Sequence, residues 1–286
     1  MKINNVLISG NQGFIGKYLC SRLTRIGIKC DNRIIGHDIT DTSFFEYIDN
    51  IQLIVHLAAK TSIKNSFLNP YEMYHNHLLG TLNLLEFARL KNVKKFIYAS
   101  TYVYGQPKYL PIDEKHPVKP HTPYNESKLM AEELCKSYSC LFNIDMVILR
   151  PFYVYGPNAR IESFVSSVIQ QIKRRHQVKL SGKNTKRDFL FVSDFVDLLI
   201  KIMNDFPKGC DLYNVGYGLS YSLEEITRKI GRLLKIEPEI VYDTVIRPAD
   251  VTEMNADISK VSKRFNWIPK VSIEEGLELS ISNANH

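Results

Sequence analysis

Short apolar runs alternate with longer amphipathic stretches through the first half of the chain. Val6-Leu7-Ile8-Ser9 has the outline of a buried strand, and residues 14–26 repeat apolar side chains at helical spacing. A second apolar strand is predicted over 53–57, running into Ala58-Ala59. Residues 70–90 carry the period of one long helix, with Pro70 in its first turn. A strand over 96–100, a second long helix over 124–142 behind the proline-rich stretch 116–123, and a strand over 146–149 complete the series. Alternating strands and crossover helices predict an α/β fold with a doubly wound parallel sheet.

After Pro151 the pattern loosens. Helices are expected over 163–175, 192–204 and 223–234, with short strands and loops between them. No second glycine-rich strand-to-helix turn follows, and no internal repeat or low-complexity tract is present. The expected organisation is therefore a first domain over 1–152 and a smaller mixed α/β substrate lobe over 153–286. The strands near Phe189–Val192 and Tyr213–Val215 are the ones able to rejoin the first sheet.

Composition narrows the function classes. Of 286 residues, 44% are hydrophobic and 23% charged, enough to build a sizeable core. No apolar run is long enough to span a bilayer, and the first ten residues turn polar too soon for a secretion signal. A cytoplasmic protein with no membrane partner is expected. Cys20, Cys30, Cys135, Cys140 and Cys210 contain no C-x-x-C pair, so neither a metal site nor a disulfide framework is expected. The net charge of +7 is scattered, with short clusters at Lys173-Arg174-Arg175 and between Lys183 and Arg187. No basic block interleaves with aromatics, which argues against nucleic acid and leaves small phosphorylated ligands.

The chemistry starts at Gly10-Asn11-Gln12-Gly13-Phe14-Ile15-Gly16, directly after the first strand and at the opening of a helix. Glycines there permit a tight turn and close approach of backbone to a pyrophosphate, and the helix N-terminus offers free N–H groups. Gly10, Gln12, Gly13, Phe14, Ile15 and Gly16 are thus expected to hold a dinucleotide on a Rossmann sheet. The end of the second strand selects the cofactor: Asp31 would hold adenosine ribose hydroxyls, and Arg33 would meet a 2′-phosphate. Counting from Gly27 places Arg33 nearer the strand tip, so NADP(H) is expected over NAD(H).

Tyr124-Asn125-Glu126-Ser127-Lys128 sets a phenol and an ammonium four residues apart, on one face of a helix. A free tyrosine titrates near pH ~10, and a neighbouring cation stabilises its phenolate. The same lysine can reach a nicotinamide ribose. One βα unit upstream, the strand ends in Ala99-Ser100-Thr101-Tyr102, and a hydroxyl at the C-terminal end of a parallel strand faces the ligand crevice. Ser100 is expected to orient a substrate oxygen while Tyr124 transfers its proton.

Together these residues resemble the extended short-chain dehydrogenase/reductase family, in its sugar-nucleotide epimerase, dehydratase and reductase branch. The resemblance spans nearly the whole chain: Gly10 to Gly16, Asp38-Ile39-Thr40-Asp41, His56-Leu57-Ala58-Ala59, Gly80-Thr81, Ser100, Tyr104-Gly105, Tyr124 with Lys128, Leu149-Arg150-Pro151, Tyr155-Gly156-Pro157, Arg187-Asp188-Phe189, Tyr213-Asn214-Val215-Gly216, Arg247-Pro248-Ala249-Asp250 and Trp267-Ile268-Pro269. It implies that Asp38 and Ile39 flank an adenine, and that Leu57, Ala58, Ala59, Lys60, Ala99, Pro151 and Tyr153 line the cofactor. It also implies that Ser100, Thr101 and Tyr102 meet the sugar, and that Arg187 and Arg247 grip a diphosphate, a contact for which a bidentate guanidinium is suited. A homodimer paired through the helices at 70–90 and 124–142 is a further implication.

Three departures shape the reading. Relatives that eliminate water carry Asp-Glu after the catalytic hydroxyl, where this chain has Thr101-Tyr102, so dehydration is disfavoured. His77 holds the register of a usual Asn before Gly80-Thr81, and Tyr153 stands where many relatives have Asn. The connection between Gly27 and Asp38 is shorter than is typical of 4-epimerases. The changes at His77 and Tyr153 bear on the detailed pocket; the compact connection resembles the 4-ketosugar reductases and implies reduction of a nucleoside-diphosphate 4-keto-6-deoxyhexose, of the kind supplying sugars for bacterial surface polysaccharides. The alternatives are a 4-epimerase with tightly held NAD and a non-catalytic nucleotide-sensing subunit.

Overall fold

The computed structural model describes residues 3–31, 37–243 and 251–282. In chain order its elements are β1 (Asn5–Ser9), α1 (Phe14–Arg25), β2 (Lys29–Asp31), β3 (Leu53–His56), α2 (Ile63–Leu68), α3 (Pro70–Tyr74), α4 (Gly80–Leu90), β4 (Lys95–Ala99), α5 (Pro123–Phe142) and β5 (Asp145–Pro151). There follow β6 (Tyr153–Tyr155), α6 (Phe164–Arg175), β7 (Gln177–Ser181), β8 (Lys186–Phe191), α7 (Val192–Asn204), β9 (Cys210–Val215), β10 (Ser220–Ser222), α8 (Leu223–Leu234), β11 (Glu239–Asp243), α9 (Ser259–Phe265) and α10 (Ile273–Ser282). They divide into two compact units, one of residues 1–105, 118–151 and 196–213, the other of residues 106–117, 152–195 and 214–286. Among the described residues no helix is long and apolar enough to cross a membrane.

The first unit is the expected α/β Rossmann fold. Its sheet has the order β2-β1-β3-β4-β5-β9, and the pairs from β2 through β5 are parallel. The central strands β1, β3, β4 and β5 are buried on both faces, as crossover connections require, whereas the edge strand β2 exposes Lys29. Leu7, Ile54, Phe96, Tyr98, Met146 and Ile148 point to one face and pack with Leu84, Leu85 and Ala88 of α4 and Ala131 and Cys135 of α5. Their alternates Val6, Ile8, Val55, Ile97 and Val147 are fully buried on the other face. There Arg22 of α1 lies 3.6 Å from Asp197 of α7, which places these two helices side by side. Burying a side chain of this kind contributes about 1.5–3 kcal/mol.

From β1 the chain steps one way to β2 and the other way to β3, so the strand order reverses between β1 and β3. Open parallel sheets bind ligands at the C-terminal ends of the strands flanking such a reversal. Here those ends are Ser9-Gly10 and His56-Leu57-Ala58. The uniform helix expected over 70–90 is interrupted: α3 passes into a π turn at His75–Leu79 before α4 begins. One extra residue is accommodated in that turn, and His77 points inward from it, 2% exposed.

The second unit holds a three-stranded sheet, β10-β8-β6, and a parallel pair, β11-β7. Phe189 belongs to β8 of this unit, whereas Tyr213 lies in β9 of the large sheet. Helix α8 starts with a capping box in which Ser222 and Glu225 satisfy each other's backbone N–H groups. Leu223, Ile226, Thr227, Ile230 and Gly231 then form its single buried stripe. Asp188, within β8, is fully buried and accepts three backbone N–H bonds, from Tyr217 at 2.5 Å, Gly218 at 3.0 Å and Ala256 at 3.1 Å. Burial pushes its carboxyl up to about 6 despite those three donors.

Candidate active site

The cradle forms because three glycines leave room that side chains would fill. Gly10 adopts φ +76, and a Cβ there would meet the Ala58 backbone nitrogen at 2.7 Å. A Cβ on Gly16 would lie 2.1 Å from the Gly10 carbonyl oxygen and 2.7 Å from Asn11 Cα. Gly13 caps α1 with extended backbone and no side-chain hydrogen bond, so the first turn keeps its donors for a ligand. Beside it the buried Asn11 carries an Nδ2 with no hydrogen-bond partner. Uncapped donors, a close-approach cradle and an orphaned amide fit the pyrophosphate of a nicotinamide dinucleotide. Gly16→Ala is expected to destabilise the fold by about 1–3 kcal/mol through overpacking and to abolish dinucleotide retention. Urea unfolding and calorimetric titration with the dinucleotide check this; unchanged affinity would refute the cradle assignment.

The other cofactor candidates line up along the same sheet edge. Leu57 donates its N–H to the Ser9 carbonyl at 3.1 Å, and Ala58 donates to Ser9 Oγ at 3.2 Å. Ile39 is buried with its side chain against Gly80, and the Asn83 amide holds the Ile39 carbonyl at 3.0 Å. Asp38 is exposed, and the Thr40 backbone N–H bonded to it holds its carboxyl below the ordinary range. Lys60 pairs through Nζ with Glu72. Asp31 ends β2 and is 1% exposed. Arg33, on which the NADP(H) preference rested, lies outside the described residues, and so does Arg247.

Tyr124 sits in the first turn of α5, whose N-cap Thr122 accepts from Asn125 N at 3.0 Å and is followed by Pro123. The Asn125 amide reaches back to the Tyr102 carbonyl at 2.7 Å and ties the helix start to the segment after β4. Tyr124 is half-buried, and burial raises its pKa above the ordinary phenol value; a hydrogen bond with the Thr101 side chain opposes the rise. The expected lowering by Lys128 is therefore not what the geometry delivers. Lys128 is 2% exposed, with Nζ 4.4 Å above the Tyr98 ring. Burial lowers its pKa to about 7, offset in part by Cys135 and Glu132.

Three partners complete the arrangement, of which Glu132 is not among the sequence candidates. Ser100 donates its hydroxyl to Glu132, and Glu132 is held by Arg150 through Nε–Oε1 at 2.9 Å and Nη2–Oε2 at 2.6 Å. All three are buried. Tyr124, Lys128 and Glu132 recur every four residues on one helix face, a signal for Glu132 that the sequence does contain. His77 supplies the third partner. The Lys60 N–H donates to its Nε2 at 3.1 Å, so Nδ1 carries the proton and donates to Ser127 Oγ at 2.8 Å. Ser127 in turn donates to the Tyr124 carbonyl at 2.9 Å. Burial and the Lys128 charge hold the His77 pKa down to about 3, so the relay is neutral across the ordinary pH range.

Tyr102, Pro151, Tyr153 and Arg187 complete the described candidates. Tyr102 is buried, and its hydroxyl donates to the Gly105 carbonyl at 2.5 Å. Pro151 ends β5. Tyr153 and Arg187 belong to the second unit: the Tyr153 hydroxyl accepts the Phe164 N–H at the start of α6 at 2.7 Å, and Arg187 Nη1 donates to the Val251 carbonyl at 2.6 Å. Among the described residues no group of three or more His, Cys, Asp or Glu side chains is arranged to hold a metal ion.

Known proteins are similar to this chain in sequence and fold. The profile of the NAD dependent epimerase/dehydratase family matches residues 6–216. UDP-glucuronate 4-epimerase of Thermodesulfobacterium geofontis is 34% identical over 82% of this chain and 72% of its own. The structure of RMD from Pseudomonas aeruginosa complexed with NADPH superposes with a TM-score of 0.92 at 26% identity, over 98% of both chains. MoeE5 in complex with UDP-glucuronic acid and NAD gives a TM-score of 0.92 at 28% identity, over 99% of both chains. With the glycine cradle at the strand reversal and the family match extending from β1 to β9, the chain belongs to the NAD-dependent epimerase/dehydratase family.

Proposed function

We propose that the protein is a nicotinamide-dependent enzyme that oxidises C4 of a nucleoside-diphosphate sugar and returns it reduced, acting as a 4-epimerase. The observation that carries this reading is the pairing of a buried Lys128, lowered to about 7, with Tyr124 in one helix turn beside Ser100. A group with a pKa near the working pH is suited to proton exchange. Tyr124 takes the proton of the C4 hydroxyl as it passes its own toward Lys128 in one half-reaction, and the exchange reverses in the other. Lys128 sets the charge around the phenol, and Ser100 orients O4. A nicotinamide held at the cradle would supply the hydride acceptor and donor. The cradle at Gly10, Gly13 and Gly16 would hold its pyrophosphate. Asp31 at the end of β2 supports NAD(H), because a carboxylate there repels a 2′-phosphate.

UDP-glucose and UDP-glucuronate are the first substrates to try, since relatives act on or bind UDP-glucuronate. Incubation with either sugar and catalytic NAD⁺ is expected to form its 4-epimer with no net cofactor consumption, read by anion-exchange chromatography. Stoichiometric oxidation of NADH or NADPH by a 4-keto sugar nucleotide, without epimerisation, would instead establish the reductase reading. That second reading is supported by the short Gly27-to-Asp38 connection and by the NADPH-bound neighbour.

The proposal includes a homodimer through α4 and α5. Leu90 of α4 and Met130 and Leu141 of α5 are exposed, at 69%, 46% and 69%, and would be covered in it. Sedimentation at micromolar concentration should give twice the mass of 33.0 kDa; a monomer would overturn the assignment.

A further inference from the structure

Ser100 has one proton to give, and its destination is visible. The hydroxyl donates to Glu132, which is 0% exposed and doubly bonded to Arg150. Arg150 is fixed in turn by the Tyr104 hydroxyl, which accepts from Nη1 at 2.9 Å, and by the Tyr104 ring, 5.0 Å below the guanidinium. A carboxylate paired with a guanidinium only accepts hydrogen bonds, so the proton in the Ser100–Glu132 bond is the serine's. With that proton committed, Ser100 offers an incoming ligand lone pairs alone. A sugar hydroxyl has a proton to place on them, whereas a ketone oxygen has none.

We propose that Glu132, clamped by Arg150, is a positioning residue that sets the polarity of Ser100, so that the resting site receives C4 of its substrate as an alcohol rather than as a ketone. The inference rests on the proposed reaction and sharpens it: the cycle starts by oxidation. In that step the C4–H bond breaks and its electron pair leaves as hydride to the nicotinamide. The O4 proton turns from the Ser100 lone pair to the Tyr124 oxygen as the phenol proton leaves toward Lys128, which burial keeps partly neutral near pH 7, and a C4=O double bond forms. Ser100 then turns its proton from Glu132 to the new carbonyl oxygen, which Glu132 tolerates because Arg150 still satisfies both of its oxygens.

The test is a double-mutant cycle. Glu132→Leu is combined with Arg150→Met, so that neither charge is left buried without its partner, and the pair is made with and without Ser100→Ala. Epimerisation of UDP-glucuronate and UDP-glucose gives kcat and KM, and thermal melting reads the hydrogen bond independently of turnover. Ser100→Ala is expected to lower kcat by about 10²-fold, and the Glu132→Leu/Arg150→Met protein by about tenfold with KM within a factor of about three. The triple variant should be no slower than Ser100→Ala, because residues acting as a unit are not additive. Likewise, Ser100→Ala should lower the melting temperature with Glu132 present and leave it unchanged without. Multiplying kinetic losses in an active wild type would overturn the polarity role alone. Equal melting decrements in the two backgrounds would overturn the hydrogen bond itself. A wild type inert on both sugars with NAD⁺ would overturn the proposed function and the polarity role with it.

Discussion

Tyr124→Phe should lower kcat by about 10²–10⁴-fold while leaving cofactor affinity and melting temperature close to wild type. The ring is half-buried and packs edge-on to His77 with centroids 5.7 Å apart, contacts that phenylalanine preserves. The start of α5 is held by Thr122, Pro123 and the Asn125 amide rather than by the phenol. What disappears is the hydroxyl that meets the Thr101 side chain, the group assigned to exchange a proton with O4. Steady-state epimerisation and calorimetric titration with NAD⁺ separate the two effects. Full epimerisation by this variant would remove the Tyr124 hydroxyl from the chemistry.

The second large effect is expected at Lys128, where activity and stability should move in opposite directions. Lys128→Met is expected to lose at least about 10²-fold in kcat and to gain stability at neutral and acidic pH. The sign follows from proton binding. Burial lowers the lysine from 10.5 to about 7, so between those values the unfolded chain binds a proton that the native chain does not. Native stability therefore rises with pH across that window, and the deficit is complete below pH 7. Methionine removes the titration, so its advantage should be largest below pH 7 and fade as pH approaches the unfolded value. The Tyr98 ring 4.4 Å below Nζ offsets part of the penalty and limits the size of the gain. Urea unfolding at pH 6 and pH 9 measures it; a constant difference between the two proteins at both pH values would refute the buried-cation account.

The parts of this structure legible in the sequence are those written in local periods. Leu7 and Ile8, Ile54 and Val55, and Ile97 announce strands by continuous burial, and the three spaced glycines announce the cradle because only glycine tolerates the Gly10 and Gly16 contacts. Ser100 and Tyr124 could be located because each sits at an element boundary that periodicity marks, and Lys128 follows Tyr124 by one helical turn. The partners of those residues were not legible. Ser100 and Glu132 are 32 positions apart, and His77 and Ser127 are 50, so their hydrogen bonds exist only once β4, α4 and α5 have packed. The π turn was invisible for a related reason: His75 to Leu79 has no proline or glycine to mark it, and it is inward bonding by His77 that accompanies the wider backbone. The same packing brings Cys20 of α1 and Cys30 of β2 together: Cys30 Sγ donates to the Cys20 carbonyl at 3.9 Å, and neither cysteine forms a disulfide. Spacing of ten residues gives no hint of that contact. At Tyr124, neighbour chemistry pointed to an acidified phenol, and burial proved the larger influence.

The wide turn at His75–Leu79 also works as a phase shifter. An α-helix advances about 100° per residue, so one surplus residue rotates everything on its N-terminal side relative to α4 by nearly a third of a revolution. Met73 of α3 and Leu84 and Leu85 of α4 are all buried, a coincidence of faces that this offset permits. Deleting a single residue from the turn would restore a regular helix and unwind the offset. Met73 would swing away from its packing face, and His77 could no longer face Lys60 and Ser127 together. A one-residue gap in an otherwise similar chain at this point thus marks a different wiring of the tyrosine, even where every catalytic letter is unchanged.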